Sequence, residues 1–370
     1  MKPTQSNPLV TVLMPVYNGG EYLKLSIGSI LLQTYKDFEL LIINDCSTDN
    51  SMEVIQSFND SRIVVHSNPV NMGQTKSLNA GLRLAKGRYI VVNDADDLSL
   101  PQRIEKQLDF ITKHPEYPVV GCSAYIMNKN GRISRIFQKA IDQRTIQICP
   151  LSEPPLIHGS VIMNREVILG EGGYNESFRI CQDYEMWSLL MRKGFHVTNL
   201  PDILVGIRHY AESLSFRESE AQTIENGRTI QANVEAFTNL TITLDEAVRQ
   251  RLFLAAPERL SEEEFSKAER LFVQQYRNHR EQIFLKTDLK KRLFKTYAKL
   301  ALDAARNGRH KESRKIAYCY LVNYGFQPIA MMIFVSSFFG KKALLSLWRI
   351  YIALQKIVTV RYRFKLRGKD

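Results

Sequence analysis

The sequence predicts an α/β fold, a mixed, mainly parallel sheet with helices on both faces, joined to a C-terminal α-helical region. Three observations predict it. Short β-branched and aliphatic runs alternate with helical periodicity as far as residue 93. The polar and acidic clusters of that stretch each follow a strand-like run, the place where open α/β sheets bind ligands. From about residue 221 the strand-like runs stop and helical patterns take over.

The elements follow in order. LVTVLMPV (9–16) and FELLII (38–43) are apolar throughout, as parallel strands buried on both faces are. Between them Tyr22, Leu23, Ile27, Ile30 and Leu31 give residues 20–33 a helical stripe. A strand is expected at Arg62–His66, a helix at Thr75–Ala85 ended by Gly87, and a strand at Tyr89–Asn93 that runs into NDADD (93–97). Further on, Thr243 with Glu246 and Ser261 with Glu264 fit capping boxes, in which each side chain satisfies the other's backbone N–H. Residues 288–323 read as a helical hairpin around Asn307-Gly308. We divide the chain into a catalytic-type domain, 1–220, a helical linker region, 221–287, and a basic helical region, 288–370.

Composition narrows the class. Apolar residues make up 44% of the 370 and charged residues 24%, which is globular rather than disordered. The N-terminal apolar run is short and broken by Pro15, unlike a signal peptide, and no apolar run is long enough to span a bilayer as a helix. Cys46, Cys122, Cys149, Cys181 and Cys319 are odd in number and scattered, so free thiols in a reducing compartment, the cytoplasm, are expected. Residues 281–370 hold 20 Lys and Arg against 5 Asp and Glu, which leaves the rest of the chain at −3 of the total +12. Lys342, Arg349, Lys356 and Arg363 recur every seven residues within an apolar segment. That pattern suits a helix lying in an anionic membrane interface; packing on its own domain, or on a second copy in a homo-oligomer, is the alternative. No recognised nucleic-acid module accompanies the charge, so no nucleic acid is expected as partner.

Asp94, Asp96 and Asp97 fall within four positions at the end of a buried strand. Like charges that close repel unless a cation or water screens them. Two carboxylates one residue apart can hold Mg²⁺ or Mn²⁺, metals often shared with a substrate's phosphates. An isolated Asp-x-Asp is more simply a solvated turn. An EF-hand is excluded, because the loop counted from Asp94 has Ser99 where glycine is required.

The neighbouring motifs decide between these. PVYN (15–18), NDCSTDN (44–50), NMGQTKSLNAG (71–81) and NDADD (93–97) occur in that order. HGSVIMNR (158–165), GGYNESFR (172–179), QDYEMW (182–187) and IRHYAESLS (207–215) follow. The ordered set resembles the family 2 glycosyltransferases, of GT-A fold, over roughly residues 8–216. The resemblance implies inverting transfer from a nucleotide-diphospho-sugar, a UDP-sugar first among them, with Mn²⁺ or Mg²⁺ as cofactor. It implies donor contacts at Pro15, Tyr17, Asn18 and Asn71. Asp45 holds the position that recognises the base. Asp96 is the first metal candidate; Asp94 is shared between metal and ribose, and His209 is a further candidate although the family's R-x-H is shifted here to Arg208-His209. His158 and Gly159 shape the sugar and acceptor pocket. Lys76 could reach the diphosphate or stand as a solvated helix residue. Asn44 stands where the family has Asp, and Cys46 where it has Gly.

The acceptor hydroxyl needs a base. Asp183, in the position of the family's Glu-Asp motif, is that candidate; a helix N-terminus there favours its ionised form. Gln182 precedes it where Glu is usual. Processive members carry Q-x-x-R-W and membrane spans; QQYRN (274–278) lacks the tryptophan, so one sugar per encounter is expected. The acceptor implied is a glycan or lipid-linked saccharide of surface polysaccharide synthesis, met by a peripheral protein on the inner membrane face. The rival reading is a nucleotide-sugar-binding protein without transfer. A nucleotidyltransferase ranks below both, because PVYNGGEYLK lacks the arginine of its phosphate loop.

Overall fold

The computed structural model describes residues 7–209, 220–279 and 285–320, apart from 308, 310, 311, 314 and 318. The chain forms two compact units, Met1–Val248 with His279–Glu281, and Arg249–Asn278 with Gln282–Asp370. The first unit holds β1 (Val10–Val16), α1 (Leu23–Leu31), β2 (Phe38–Asn44), α2 (Ser51–Gln56), β3 (Ile63–Ser67), α3 (Gln74–Leu84), β4 (Tyr89–Val92) and β5 (Leu98–Ser99). It continues through α4 (Arg103–Lys113), β6 (Val119–Met127), β7 (Ile133–Phe137), α5 (Gln143–Ile148), β8 (Ile162–Asn164), α6 (Arg165–Gly170), α7 (Gln182–Arg192), β9 (Val197–Arg208) and α8 (Glu220–Thr238).

The described strands form one sheet in the order β3-β2-β1-β4-β8-β6-β9-β5, with β7 paired to β6. β3, β2, β1 and β4 run parallel, β8 is antiparallel between β4 and β6, and β6 and β9 are parallel to each other. Every residue of β1, β2 and β4 is buried, which accounts for their unbroken apolar runs. The pleat sorts them by face. Val10, Val12 and Met14 pack with Ile27 and Ile30 of α1 and Ile104 and Leu108 of α4. Leu13, Leu41 and Ile43 pack with Leu78 and Leu82 of α3 and Trp187 and Leu190 of α7 on the other side. The GT-A expectation is met, with helices on both faces and a mixed sheet.

Local boundaries differ a little from the sequence reading. The helix after β2 starts only at Ser51, because residues 44–50 are used in loop hydrogen bonds. In β9, Pro201 and Asp202 fall in an irregularity between Leu200, opposite Cys122, and Ile203, opposite Ser123; a residue without an N–H is tolerated at such a break.

The second unit is helical: the end of α9 (Leu244–Ala255), α10 (Glu262–Asn278) and α11 (Leu285–Arg306). Phe253, Phe265, Phe272, Tyr276 and Tyr297 form a chain of mostly edge-to-face ring contacts, 4.9–6.0 Å between centroids. Gln250 and Gln275 exchange amide hydrogen bonds inside it, which satisfies both buried groups. Both capping boxes form as read, Thr243 with Glu246 and Ser261 with Glu264. α11 ends before Asn307, as expected; the far arm of that hairpin lies partly, and the basic stripe 342–363 wholly, outside the described residues. Among the described residues no helix is long and apolar enough to cross a membrane.

Candidate active site

The ends of β1 and β2 are laced together. Asn18 turns its backbone into the left-handed region (φ 50°), donates its N–H to Ser47 Oγ at 3.0 Å and accepts from Thr48 N at 2.8 Å. Gly20 N donates to Asp49 Oδ2, while Asp49 Oδ1 accepts from the N–H of Ser51, the first residue of α2. Pro15 is buried in β1 opposite Ile43, and Tyr17 is 52% exposed beside it. Cys46 also takes a left-handed backbone, φ 60°. A glycine adopts that conformation without a Cβ clash, which explains why the family places one here.

Asp45 is buried, and its carboxylate accepts from Asn68 Nδ2 (2.7 Å), Met72 N (2.8 Å) and Gly73 N (2.8 Å). It fixes the loop that enters α3. Two oxygens offer about four acceptor directions, so one remains for a ligand. Asn71 and Lys76 are exposed on either side of this turn. The second asparagine of NMGQTKSLNAG works at a distance. Asn79 accepts from Tyr174 N and donates to Tyr174 O, each at 2.8 Å. Gly173 must approach it closely, with φ 74° and a hypothetical Cβ 2.7 Å from Asn79 Oδ1. That pair accounts for the GGY sequence.

The acidic loop is rigidly held. Asp97 is buried, and Arg208 N donates to its Oδ1 at 2.8 Å. Burial, then the charges of Asp94 and Asp96, push its carboxyl well above the ordinary carboxylate range. Arg208 also donates from Nε to Asp96 O and from Nη1 to Lys129 O, and its guanidinium lies 4.0 Å from the Tyr22 ring centroid. Beneath the loop, Arg103 is fully buried and donates to Asn93 Oδ1, Ser99 Oγ, Val92 O and Gln107 Oε1. Burial lowers it to about 10, which keeps a cation under the three carboxylates at neutral pH.

Asp94 turns the other way. Its Oδ1 lies 4.0 Å from His158 Nδ1 and 3.4 Å from Gln74 Nε2. A Cβ on Gly159 would stand 3.2 Å from Asp94 Oδ2 and 3.0 Å from Asp97 Oδ2. Gly159 thus leaves a cradle between two carboxylate oxygens that any side chain would fill, and hard oxygen donors of this kind fit Mg²⁺ or Mn²⁺. Among the described residues no group of three or more His, Cys, Asp or Glu side chains is gathered as a metal cage. His209 donates its N–H to Met127 O at the sheet edge, and burial lowers its pKa.

Across His158 lies the base candidate. His158 Nε2 is 3.1 Å from Tyr174 Oη, with the two rings edge to face. Burial raises Tyr174 well above its usual value, and the charges of Asp183 and Asp94 raise it further. Burial raises the Asp183 carboxyl as well; His158, the Tyr184 N–H and Lys139 oppose the rise, and Asp94 adds to it. The net direction reverses what a helix N-terminus alone would give. Asp94, His158, Tyr174 and Asp183 form one electrostatic cluster, and the metal and base candidates share it.

The start of α7 has no side-chain cap of its own. Glu225 of α8 supplies it, accepting from Arg179 N, Ile180 N and Cys181 N at 2.8–2.9 Å. Glu225, Arg103 and Gln74 escaped the sequence reading. Arg103, nine residues after Asp94 on an amphipathic helix, carries no local signal of its burial.

The sequence matches the family model described as Glycosyl transferase family 2 over residues 11–170. It is 33% identical over 227 residues to the putative glycosyltransferase EpsE of Bacillus subtilis (strain 168), a stretch covering 60% of this chain and 80% of that protein. The chain belongs to glycosyltransferase family 2. It is a transferase by that membership. The chain is also similar to the amylovoran biosynthesis glycosyltransferase AmsE of Erwinia amylovora, 26% identical over 213 residues, 56% of this chain and 79% of that one. In structure the chain is similar to S. aureus TarS 1-349 in complex with UDP-GlcNAc, at TM-score 0.52 and 18% identity, covering 79% of this chain and 87% of that one. This last likeness shows the GT-A fold.

Proposed function

We propose that this family 2 enzyme transfers a single sugar, with inversion, from a nucleotide-diphospho-sugar to a glycan or lipid-linked acceptor in surface polysaccharide synthesis. The observation that carries the proposal is the cluster in which Asp94, His158 and Asp183 act on one another. Asp183, its carboxyl raised by burial, is a stronger base than a solvent-exposed aspartate. It takes the acceptor hydroxyl's proton as that oxygen bonds to the anomeric carbon and the carbon–diphosphate bond breaks. His158 and Tyr174 line the approach and orient the sugar. Asp45 presents its remaining acceptor direction to a base N–H, a uracil-like ring, which makes UDP-sugars the first donors to test. Asp96 and Asp94, with Asp97 across the Gly159 cradle, are the residues that would hold Mn²⁺ or Mg²⁺, and such a cation, when bound, neutralises the departing diphosphate. The polysaccharide role rests on the relative named for amylovoran biosynthesis. Residues 1–220 carry the chemistry, and the basic region 288–370 brings the protein to the inner membrane face.

The test is a thermal-shift screen of nucleoside diphosphates and their sugars, with and without Mn²⁺, followed by NMR of the product's anomeric carbon. A ligand at a hundred times its dissociation constant stabilises by about 2.7 kcal/mol. No stabilisation by any nucleotide sugar, or a product with retained configuration, would overturn the proposal.

A further inference from the structure

The β6–β7 hairpin carries a feature that sugar transfer does not use. Residues 128–141, NKNGRISRIFQKAI, contain Lys129, Arg132, Arg135 and Lys139 and no acidic residue, although residues 1–280 as a whole carry −3. Lys129, Arg132 and Arg135 are exposed, while Lys139 is turned inward to Pro154 O. Ile133 is 57% exposed, Ile136 41% and Ile141 44%, an unusual set for one short stretch. Register explains how two of these meet. Ile136 pairs with Tyr125 and Arg135 with Ile126, but Met127 pairs with Ile133, so Ser134 is an extra, bulged residue. Tyr125 and Met127 share a face, hence Ile136 and Ile133 share it too; without the bulge Ile133 would point with Arg135. Ser134 Oγ donates to Ile126 O and closes the bulge.

Basic residues on an outer strand can simply discourage edge pairing. They do not account for isoleucines aligned and left in water. We propose that this hairpin docks on an anionic lipid surface, with Ile133 and Ile136 entering the interface and Lys129 and Arg132 meeting the headgroups. A soluble polyanion would need the cations but not the isoleucines. The proposal rests on the lipid-linked acceptor reading and locates it. Arg208 joins the hairpin base, at Asn128 O and Lys129 O, to Asp96 O of the acidic loop. Docking there holds the acidic loop of the site close to the membrane.

The experiment is vesicle co-sedimentation of the full chain, with phosphatidylcholine alone and with phosphatidylglycerol mixed in, alongside a thermal shift with UDP-sugar and Mn²⁺. Each basic residue near an anionic surface contributes about fivefold in partitioning. The Lys129→Gln/Arg132→Gln variant is expected to bind anionic vesicles about 25-fold more weakly. Ile133→Ser/Ile136→Ser is expected to lose at least tenfold. Both keep the donor-induced shift, which reads the function proposal separately. Wild-type partitioning by either variant overturns the inference. So does a loss confined to the charge variant together with equal competition by dextran sulfate, which would mean a polyanionic glycan. A change in oligomeric state of the isoleucine variant with vesicle binding intact would mean a second copy, and also overturns it.

Discussion

Asp183→Asn separates stability from chemistry. The substitution keeps the shape of the side chain and an acceptor for the Tyr184 N–H, but it removes the charge. A general base contributes about 10²–10⁴ to rate, about 3–5.5 kcal/mol of the barrier, so transfer should fall by that factor with donor affinity unchanged. Stability should move the other way. The carboxyl's folded pKa is raised, by burial first. A group raised in this way favours folding below its unfolded value and loses that contribution as pH climbs through its folded value. At neutral pH, ionising Asp183 in the fold is therefore a net cost, and each tenfold in its proton affinity is worth about 1.4 kcal/mol. The asparagine variant should unfold at higher urea than wild type at pH 7.5, and the difference should close as pH falls to about 4, near the unfolded carboxylate value. Urea titrations at several pH values, paired with initial transfer rates, check both halves. A variant that is less stable at pH 7.5 would refute the burial account. One that transfers at the wild-type rate would refute the base assignment.

Three further outcomes follow from the site. Gly159→Ala puts a methyl 3.0 Å from Asp97 Oδ2 and 3.2 Å from Asp94 Oδ2. Displacing those carboxylates by a few tenths of an ångström should weaken the Mn²⁺-dependent donor shift and cut transfer about tenfold, with stability down by about 1–2 kcal/mol; an unchanged metal titration would rule out the cradle. Cys46→Gly relieves a left-handed backbone worth about 1–2 kcal/mol, offset by about 0.5–1 kcal/mol of extra glycine freedom when unfolded. A higher urea midpoint is expected. Asp45→Ala leaves the Asn68, Met72 and Gly73 donors without their carboxylate. A loss of about 3 kcal/mol and faster amide exchange confined at first to residues 68–74 are expected, measured by hydrogen-exchange mass spectrometry.

Much of this is legible in the amino-acid sequence. The buried strands announce themselves because a parallel strand covered on both faces has no polar side to show, and the helices between them because one apolar stripe must meet the sheet. Strand-end placement then brings Pro15, Asp45 and Asp94 to one edge, since parallel strands all finish there. The ordered motifs added Asp183 and His158. Asp97 looked equal to its neighbours, yet it is the carboxylate that folding buries and ties to Arg208 N.

What the sequence by itself determined was the alternation, the motif order and the chemical types available: carboxylates for a cation, a carboxylate for a proton, a cluster at strand ends. What only tertiary structure decided was which of those groups is free and in what electrostatic setting. Glu225 reaches Cys181 N across 44 residues, Asn79 reaches Tyr174 across 95, and Arg208 N reaches Asp97 across 111. No periodicity encodes such contacts. They arise because the folded sheet brings distant loops together and because burial, by removing water, makes each remaining polar partner count.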